Sequence, residues 1–330
     1  MIRRSLAVAI SIAFGILCGP LPGQAQPGGK VYRIGFLSYF GCGTSVAPNG
    51  AFRQGLRELG YVEDRNLALV CRDAPGMVDR LPDAAVELTR LKIDVLVAEA
   101  TPSALAAKRA TNTIPIVMLS VGDPIRSELV ASLARPGGNV TGVTLLPALE
   151  VVAKVFELLK EVAPHASRTA VLWDPTNPGQ AFITDEVDAA GRRIGIQPQR
   201  LGVQGAGDLP NAFAAARSQR SQAIFVYPLP LSPPDIGRIA QFALSNRLPA
   251  VTPWEGYAEQ GFLLFYGTRL SEQYRRATVY VDKILKGAKP SDLPIEQAVK
   301  FDLVVNLKTA RAIGLRIPQS VILRADQVLD

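Results

Sequence analysis

The chain is poor in the residue types that carry most catalytic chemistry. Histidine occurs once in 330 residues, as His165, and cysteine three times, as Cys18, Cys42 and Cys71. His165 falls in a stretch that reads as a helix-to-strand connection, which leaves a Ser-His-Asp triad without a suitably placed base. No Cys/His cluster has zinc spacing, so no metal site is expected. Gly41-x-Gly43 is followed by Val46 where a dinucleotide fingerprint needs its third glycine, and no phosphate-binding GxxxxGK[ST] sequence occurs. The sequence therefore predicts a protein without a cofactor and without catalytic residues. Basic residues outnumber acidic ones, 36 to 29, but they are scattered, with Arg192-Arg193 and Arg275-Arg276 as the notable pairs. Solvated helix faces explain them better than a nucleic-acid track.

Long apolar runs are also missing, with one short exception at the start. Arg3 and Arg4 precede an uncharged stretch from Leu6 to Leu17, then Pro20, Pro22 and Gly23-Gln24-Ala25, with small residues where a signal peptidase needs them. This is the pattern of a secretory signal peptide over residues 1–25, cleaved after Ala25. A dozen apolar residues fall short of the roughly 20 that span a bilayer. Leu17 before Cys18 argues against a lipid anchor. Loss of Arg3 and Arg4 leaves 34 basic against 29 acidic residues, a net charge near +5.

The remainder, 48% hydrophobic overall, suits two domains. Two apolar runs, Ile93–Ala98 and Ile114–Ser120, are each followed by a polar residue, a proline and a helix-compatible segment. The same alternation is carried by strands at Arg33–Ser38, Asn66–Cys71 and Val140–Leu145 and by a helix at Asp79–Leu91. It begins again with a helix at Leu149–Ala163, a strand at Thr169–Trp173, a helix at Gly179–Ile194 and a stop at Gly195. Further strands are expected at Ala223–Tyr227, Ala250–Pro253, Phe262–Tyr266 and Phe301–Asn306, and helices at Asp235–Ser245, Ser271–Leu285 and Leu307–Ile313. A shift of 135 positions lays Leu37 on Leu172, Leu59 on Ile194 and Gly60 on Gly195. The chain thus reads as α/β, two copies of one parallel-sheet design. Cys42 should follow the first strand and Cys71 end the second. If those strands are neighbours, the two cysteines form a disulfide; two buried free thiols are the alternative.

A small polar residue precedes proline just past a strand at Thr101-Pro102, Asp123-Pro124, Asn177-Pro178 and Ser232-Pro233. Each reads as an N-cap with proline at the first helical position. If the carboxyl edges of the two sheets face each other, the same residues line a cleft. Thr101 and Ser103 then offer hydroxyls at a helix N-terminus suited to a carboxylate. Asp123 and Glu255 offer charge for an ammonium group, and Tyr227 and Trp254 could cover an apolar ligand body.

Four stretches carry a resemblance: FRQGLRELGYVEDRNL at Phe52–Leu67, DRLPDAAVELTRLKIDVLVA at Asp79–Ala98, ATPSALAAKRATNTIPIVM at Ala100–Met118 and LVASLARPGGNVTGV at Leu129–Val143. Together they resemble the ABC-transporter substrate-binding proteins of the type I periplasmic fold, in the branch that includes tryptophan- and tyrosine-binding members. The resemblance implies a Venus-flytrap of two doubly wound parallel-sheet lobes joined by a multi-crossing hinge. With crossings near Leu146, Leu264 and Lys300, the first lobe takes residues 30–146 and 265–299, and the second 147–264 and 300–330. It further implies a periplasmic monomer that hands a small ligand, an amino acid or related compound, to an inner-membrane permease. The family's ligand positions carry over to Ala98, Thr101 and Asp123 of the first lobe and Asn177, Tyr227 and Glu255 of the second. Two departures stand out: the first-strand loop Tyr39-Phe40-Gly41-Cys42-Gly43 is longer than the usual serine-containing turn, and Glu99 stands where glycine is frequent. The rival readings are a sensing receptor on the same fold, a secreted α/β enzyme, and a repressor, the last opposed by a signal peptide in place of a helix-turn-helix.

Overall fold

The structure, a computed structural model, describes residues 30–42, 50–145 and 148–330. The signal peptide, Cys18 and the first crossing at Leu146 lie outside the described residues.

The chain opens with β1 (Tyr32–Ser38), α1 (Ala51–Glu58), β2 (Leu67–Asp73), α2 (Leu81–Arg90), β3 (Val95–Glu99), α3 (Ala100–Ala110), β4 (Ile116–Val121) and β5 (Val140–Thr144). It continues through α4 (Ala148–Val162), β6 (Arg168–Trp173), α5 (Pro178–Arg193), β7 (Gln197–Gly202), α6 (Leu209–Ser218), β8 (Ala223–Val226), α7 (Pro233–Ser245), β9 (Ala250–Thr252) and β10 (Leu264–Gly267). Then come α8 (Leu270–Leu285), β11 (Glu296–Gln297), β12 (Asp302–Asn306), α9 (Leu307–Ile313), α10 (Gln319–Ile322) and β13 (Gln327–Leu329).

Two sheets result, ordered β11-β5-β4-β3-β1-β2 and β13-β12-β10-β9-β8-β6-β7. Reading each lobe's own first five strands, both have the second strand outside the first and the third, fourth and fifth following on its other side. This is the doubly wound order in which ligands sit at the carboxyl edge. Gly60 and Gly195, the pair matched by the sequence shift, follow the helix after the first strand of each lobe with φ of 90° and 73°. All pairings are parallel except that of β12 with β10. The strand Leu264–Gly267 belongs to the second sheet through β9 and β12, so the chain leaves that lobe after Gly267 and not at Leu264.

Strand alternation divides each core in two. In the first lobe Ile34, Phe36, Val95 and Val97 pack with Phe52 and Leu56 of α1 and Tyr274 and Val281 of α8. Their neighbours Leu37, Leu96 and Ala98 turn to the other face and meet Leu81, Leu88, Ala104 and Ala107 of α2 and α3. The second lobe repeats this with Val171, Phe225 and Val251 against α4 and Ala170, Leu172 and Ile224 against α6 and α7.

One expectation is corrected here, and two further features carried no sequence signal. The helix expected after β4 is a set of turns from Asp123, with Ser127, Leu129 and Val130 amides bonded to Asp123 and Pro124 carbonyls; Glu128 at φ 55° breaks any continuation. At the end of β3 Ala100 takes the left-handed region, φ 68°, while Glu99 is extended. β7 and α6 stand where the sequence offered no clear element.

The phrase Arg135–Thr141 is structural. Gly137 takes φ 81°, Asn139 Nδ2 donates to the carbonyls of Thr111 at 3.0 Å and Ile114 at 2.8 Å, and Thr141 donates to Leu293 O at 2.7 Å. Gly142 follows at φ 132°, where a Cβ would stand 2.1 Å from Met118 O; only glycine lets β5 approach β4 there. A disulfide joins Cys42 to Cys71, with Cα atoms 6.1 Å apart.

Candidate ligand site between the two lobes

The carboxyl ends of β3 and β4 are both held in unusual backbone. Ala100 has φ 68° and Ser120 φ 55°, conformations uncommon for L-residues and concentrated at functional sites. At Ala100 the kink turns β3 into α3 with no intervening loop, so the first-turn amides of α3, which have no intrahelical partners, emerge at the sheet edge. Ser120 is 4% exposed and its hydroxyl has no hydrogen-bond partner. Thr101 is not the N-cap, because the helix starts at Ala100 with Glu99 as cap; its hydroxyl instead accepts from the Gly122 amide at 3.4 Å.

Opposite stands the N-terminus of α5. Asn177 caps it, its Oδ1 accepting from the Gly179 amide at 3.0 Å. Gln180 is fully engaged, accepting from Asp174 N at 2.9 Å and donating to Pro228 O at 2.8 Å. The lobes touch here. A Cβ on Gly179 would lie 2.4 Å from Thr101 Oγ1, and one on Gly122 3.3 Å from Gly179 O. Nearby, Arg126 pairs with Glu186 at 2.7 Å and lies over the Phe182 ring.

Between the lobes is a cavity of about 80 Å³, room for several waters. Phe40, Ala100, Thr101, Ser120 and Gly122 form its first-lobe wall, and Asn177, Gly179, Tyr227 and Trp254 face them. Val151, Val152 and Leu145 make one side apolar. Tyr227 is 3% exposed, and burial together with Asp188 raises its phenol pKa. Beyond the Phe40 and Trp254 rings lies a second cavity of about 90 Å³ that reaches Glu99, Glu255 and Tyr257. Glu99 is 1% exposed, accepts the Ser38 hydroxyl, and is pushed up to about 7 by burial, with that bond and the Phe40 amide pulling it back down.

Of the residues expected at the site, Thr101, Asn177 and Tyr227 come together. Ala98 is fully buried in β3 against the α2 and α3 face. Ser103 lies within α3, fully buried, with an unpaired hydroxyl that does not reach the cavity. Asp123 spends Oδ1 on the Ile125 and Arg126 amides, both at 3.0 Å. Glu255 binds the Leu270 and Ser271 amides and so caps α8 across the hinge; burial raises its pKa, and those amides lower it. Phe40 and Ser120 are additions. A serine inside an apolar strand reads as core, and its backbone angle has no sequence signal. His165 sits exposed in the turn before β6. Among the described residues no group of His, Cys, Asp and Glu has metal-site geometry.

The sequence profile described as ABC transporter substrate binding protein matches residues 44–329. The chain belongs to that family. A tyrosine-binding protein from Clostridioides difficile (strain R20291) is 24% identical over 265 residues, 80% of this chain and 76% of that one. A solved conserved domain protein from Vibrio cholerae is 28% identical with a TM-score of 0.82, covering 91% of this chain and 100% of the other. An ABC domain from Streptococcus pneumonia in complex with L-Trp is 24% identical with a TM-score of 0.80 over the same shares; that likeness carries the fold. Members of this family bind small molecules and work with ABC permeases.

Proposed function

We propose that this chain is the periplasmic solute receptor of an ABC importer, a monomer that closes its two lobes over one small organic ligand and presents the closed form to an inner-membrane permease. The observation that carries the reading is the cavity enclosed from both sides, with Thr101 and Ser120 on one wall and Asn177, Tyr227 and Trp254 on the other. A few oriented polar groups in a mostly apolar, shaped cavity suit binding better than turnover. Closure is a hinge motion whose free energy comes from the ligand's contacts to the second lobe. The relatives that bind tyrosine and tryptophan support amino acids and related compounds as the ligand class. The signal-peptide pattern of residues 1–25 supports export, with cleavage after Ala25; among the described residues no helix is long and apolar enough to cross a membrane.

Native mass spectrometry of the exported protein tests the reading. A single small molecule, released unchanged on denaturation and able to raise the melting temperature when added back, is expected. A protein that carries none and is stabilised by no member of an amino-acid and organic-acid panel is not a solute receptor.

A further inference from the structure

We propose that the interlobe cavity is selective for a carboxylic acid with an apolar or aromatic body and no α-ammonium group. This rests on the receptor reading and narrows its ligand class. Among the described residues no Asp, Glu, Lys, Arg or His lines the cavity, and residues 43–49 and 146–147 contain no ionisable side chain. The two acids best placed by sequence to meet an ammonium are already engaged elsewhere. Asp123 holds the Ile125 and Arg126 amides, and Glu255 holds the amides that open α8. Glu99 is buried beyond the Phe40 and Trp254 rings, bonded to Ser38.

The groups that remain treat the two signs of charge differently. An anion is well served by neutral donors at the start of a helix, and the first turn of α3 meets the cavity at Ala100 and Thr101. Ser120 adds a hydroxyl that is buried, lines the cavity and has no protein partner. A buried ammonium needs a counter-charge, without which it loses several kcal/mol of hydration on the order expected for an unpaired ion. Trp254, Phe40 and the valines of α4 supply the apolar wall for the rest of the ligand.

Matched pairs test this by isothermal titration of the mature full-length protein: indole-3-propionate against L-tryptophan, 3-(4-hydroxyphenyl)propionate against L-tyrosine, and 4-methylpentanoate against L-leucine. In at least one pair the acid without the amine should bind tenfold or more tighter, and Ser120→Gly should weaken that acid at least threefold. An amino acid that binds as tightly as its deaminated partner overturns the inference and leaves the receptor reading standing. Failure of every probe also overturns it; a co-purified ligand then upholds the receptor reading, and its absence removes that too.

Discussion

Phe40 of the first lobe and Trp254 of the second meet across the cleft with ring centroids 5.3 Å apart and planes inclined at 45°. The pair lines both cavities of the interlobe space. An aromatic pair contributes roughly 0.5–1.5 kcal/mol beyond its area. Trp254→Ala should therefore weaken ligand binding about tenfold, a loss near 1.4 kcal/mol, and Trp254→Phe should restore most of it. Titration calorimetry checks both. With Trp173 replaced by phenylalanine, Trp254 becomes the sole tryptophan, and its emission should shift on ligand addition.

Gly179 is needed where the lobes close. A Cβ there would stand 2.4 Å from Thr101 Oγ1 and 3.1 Å from Thr101 Cβ. Gly179→Ala should leave the melting temperature of the ligand-free protein unchanged or slightly raised, because alanine favours the helix, while ligand affinity falls tenfold or more. Adding Thr101→Ala removes the nearer clash and should recover part of the loss, a coupling that a double-mutant cycle reads directly. Equal losses of stability and affinity would contradict this division.

Ala100 offers a stability gain. Its φ of 68° costs an L-residue what glycine does not pay, on the order of 1 kcal/mol. Ala100→Gly should raise the unfolding free energy by that amount, measured by urea denaturation.

Glu99 sets a pH dependence. Its carboxyl is raised from an ordinary 4.5 to about 7 by burial, so the folded state binds a proton over this range that the unfolded state has released. The stability it supplies is complete below about pH 4.5 and is lost as pH rises through 7, a change of about 3 kcal/mol. Denaturation at pH 5 and pH 8 should show the wild type losing stability relative to Glu99→Gln. Parallel curves would mean that Glu99 is ionised in the fold.

The bond between Cys42 and Cys71 closes a separation of 29 residues and ties the loop after β1 to β2, the strand at one edge of the first sheet. The chain-entropy account assigns such a loop about 3–4 kcal/mol. Replacing both cysteines by serine should lower stability by that order, with m-values and denaturation midpoints as the readout.

Where burial is alternating or continuous, the sequence located elements to within a residue or two: β1, β3, β4 and β6, the helices α4 and α5, and α9, whose residues 307–313 carry both an asparagine cap and a closing glycine. Elements with little to bury left no such mark. In β7 only Leu201 is buried, and β11 and β13 are short strands at sheet edges. Around the cavity, the cap and proline at Asn177-Pro178 and the strand end near Tyr227 were readable, β8 closing one residue earlier at Val226, because caps and strand ends have local signatures. The destinations of Asp123 and Glu255 were not, since a carboxylate's choice between a ligand and a backbone amide is made by tertiary approach. Glu255 finds its partners 15 and 16 residues away, in a helix belonging to the other lobe.

The return of the chain to each sheet governs how the molecule comes apart. α8 packs on α1, β4 and β5 and is followed by β11 at the edge of the first sheet, while β12 and β13 complete the second. A fragment ending near residue 145 thus lacks the helix that covers half of its own core, and one beginning there carries that helix with nothing to cover. Each lobe is finished by chain synthesised after most of the other, so neither is an autonomous folding unit. Two lobes that move as separate bodies in function should melt as one, in a single calorimetric transition.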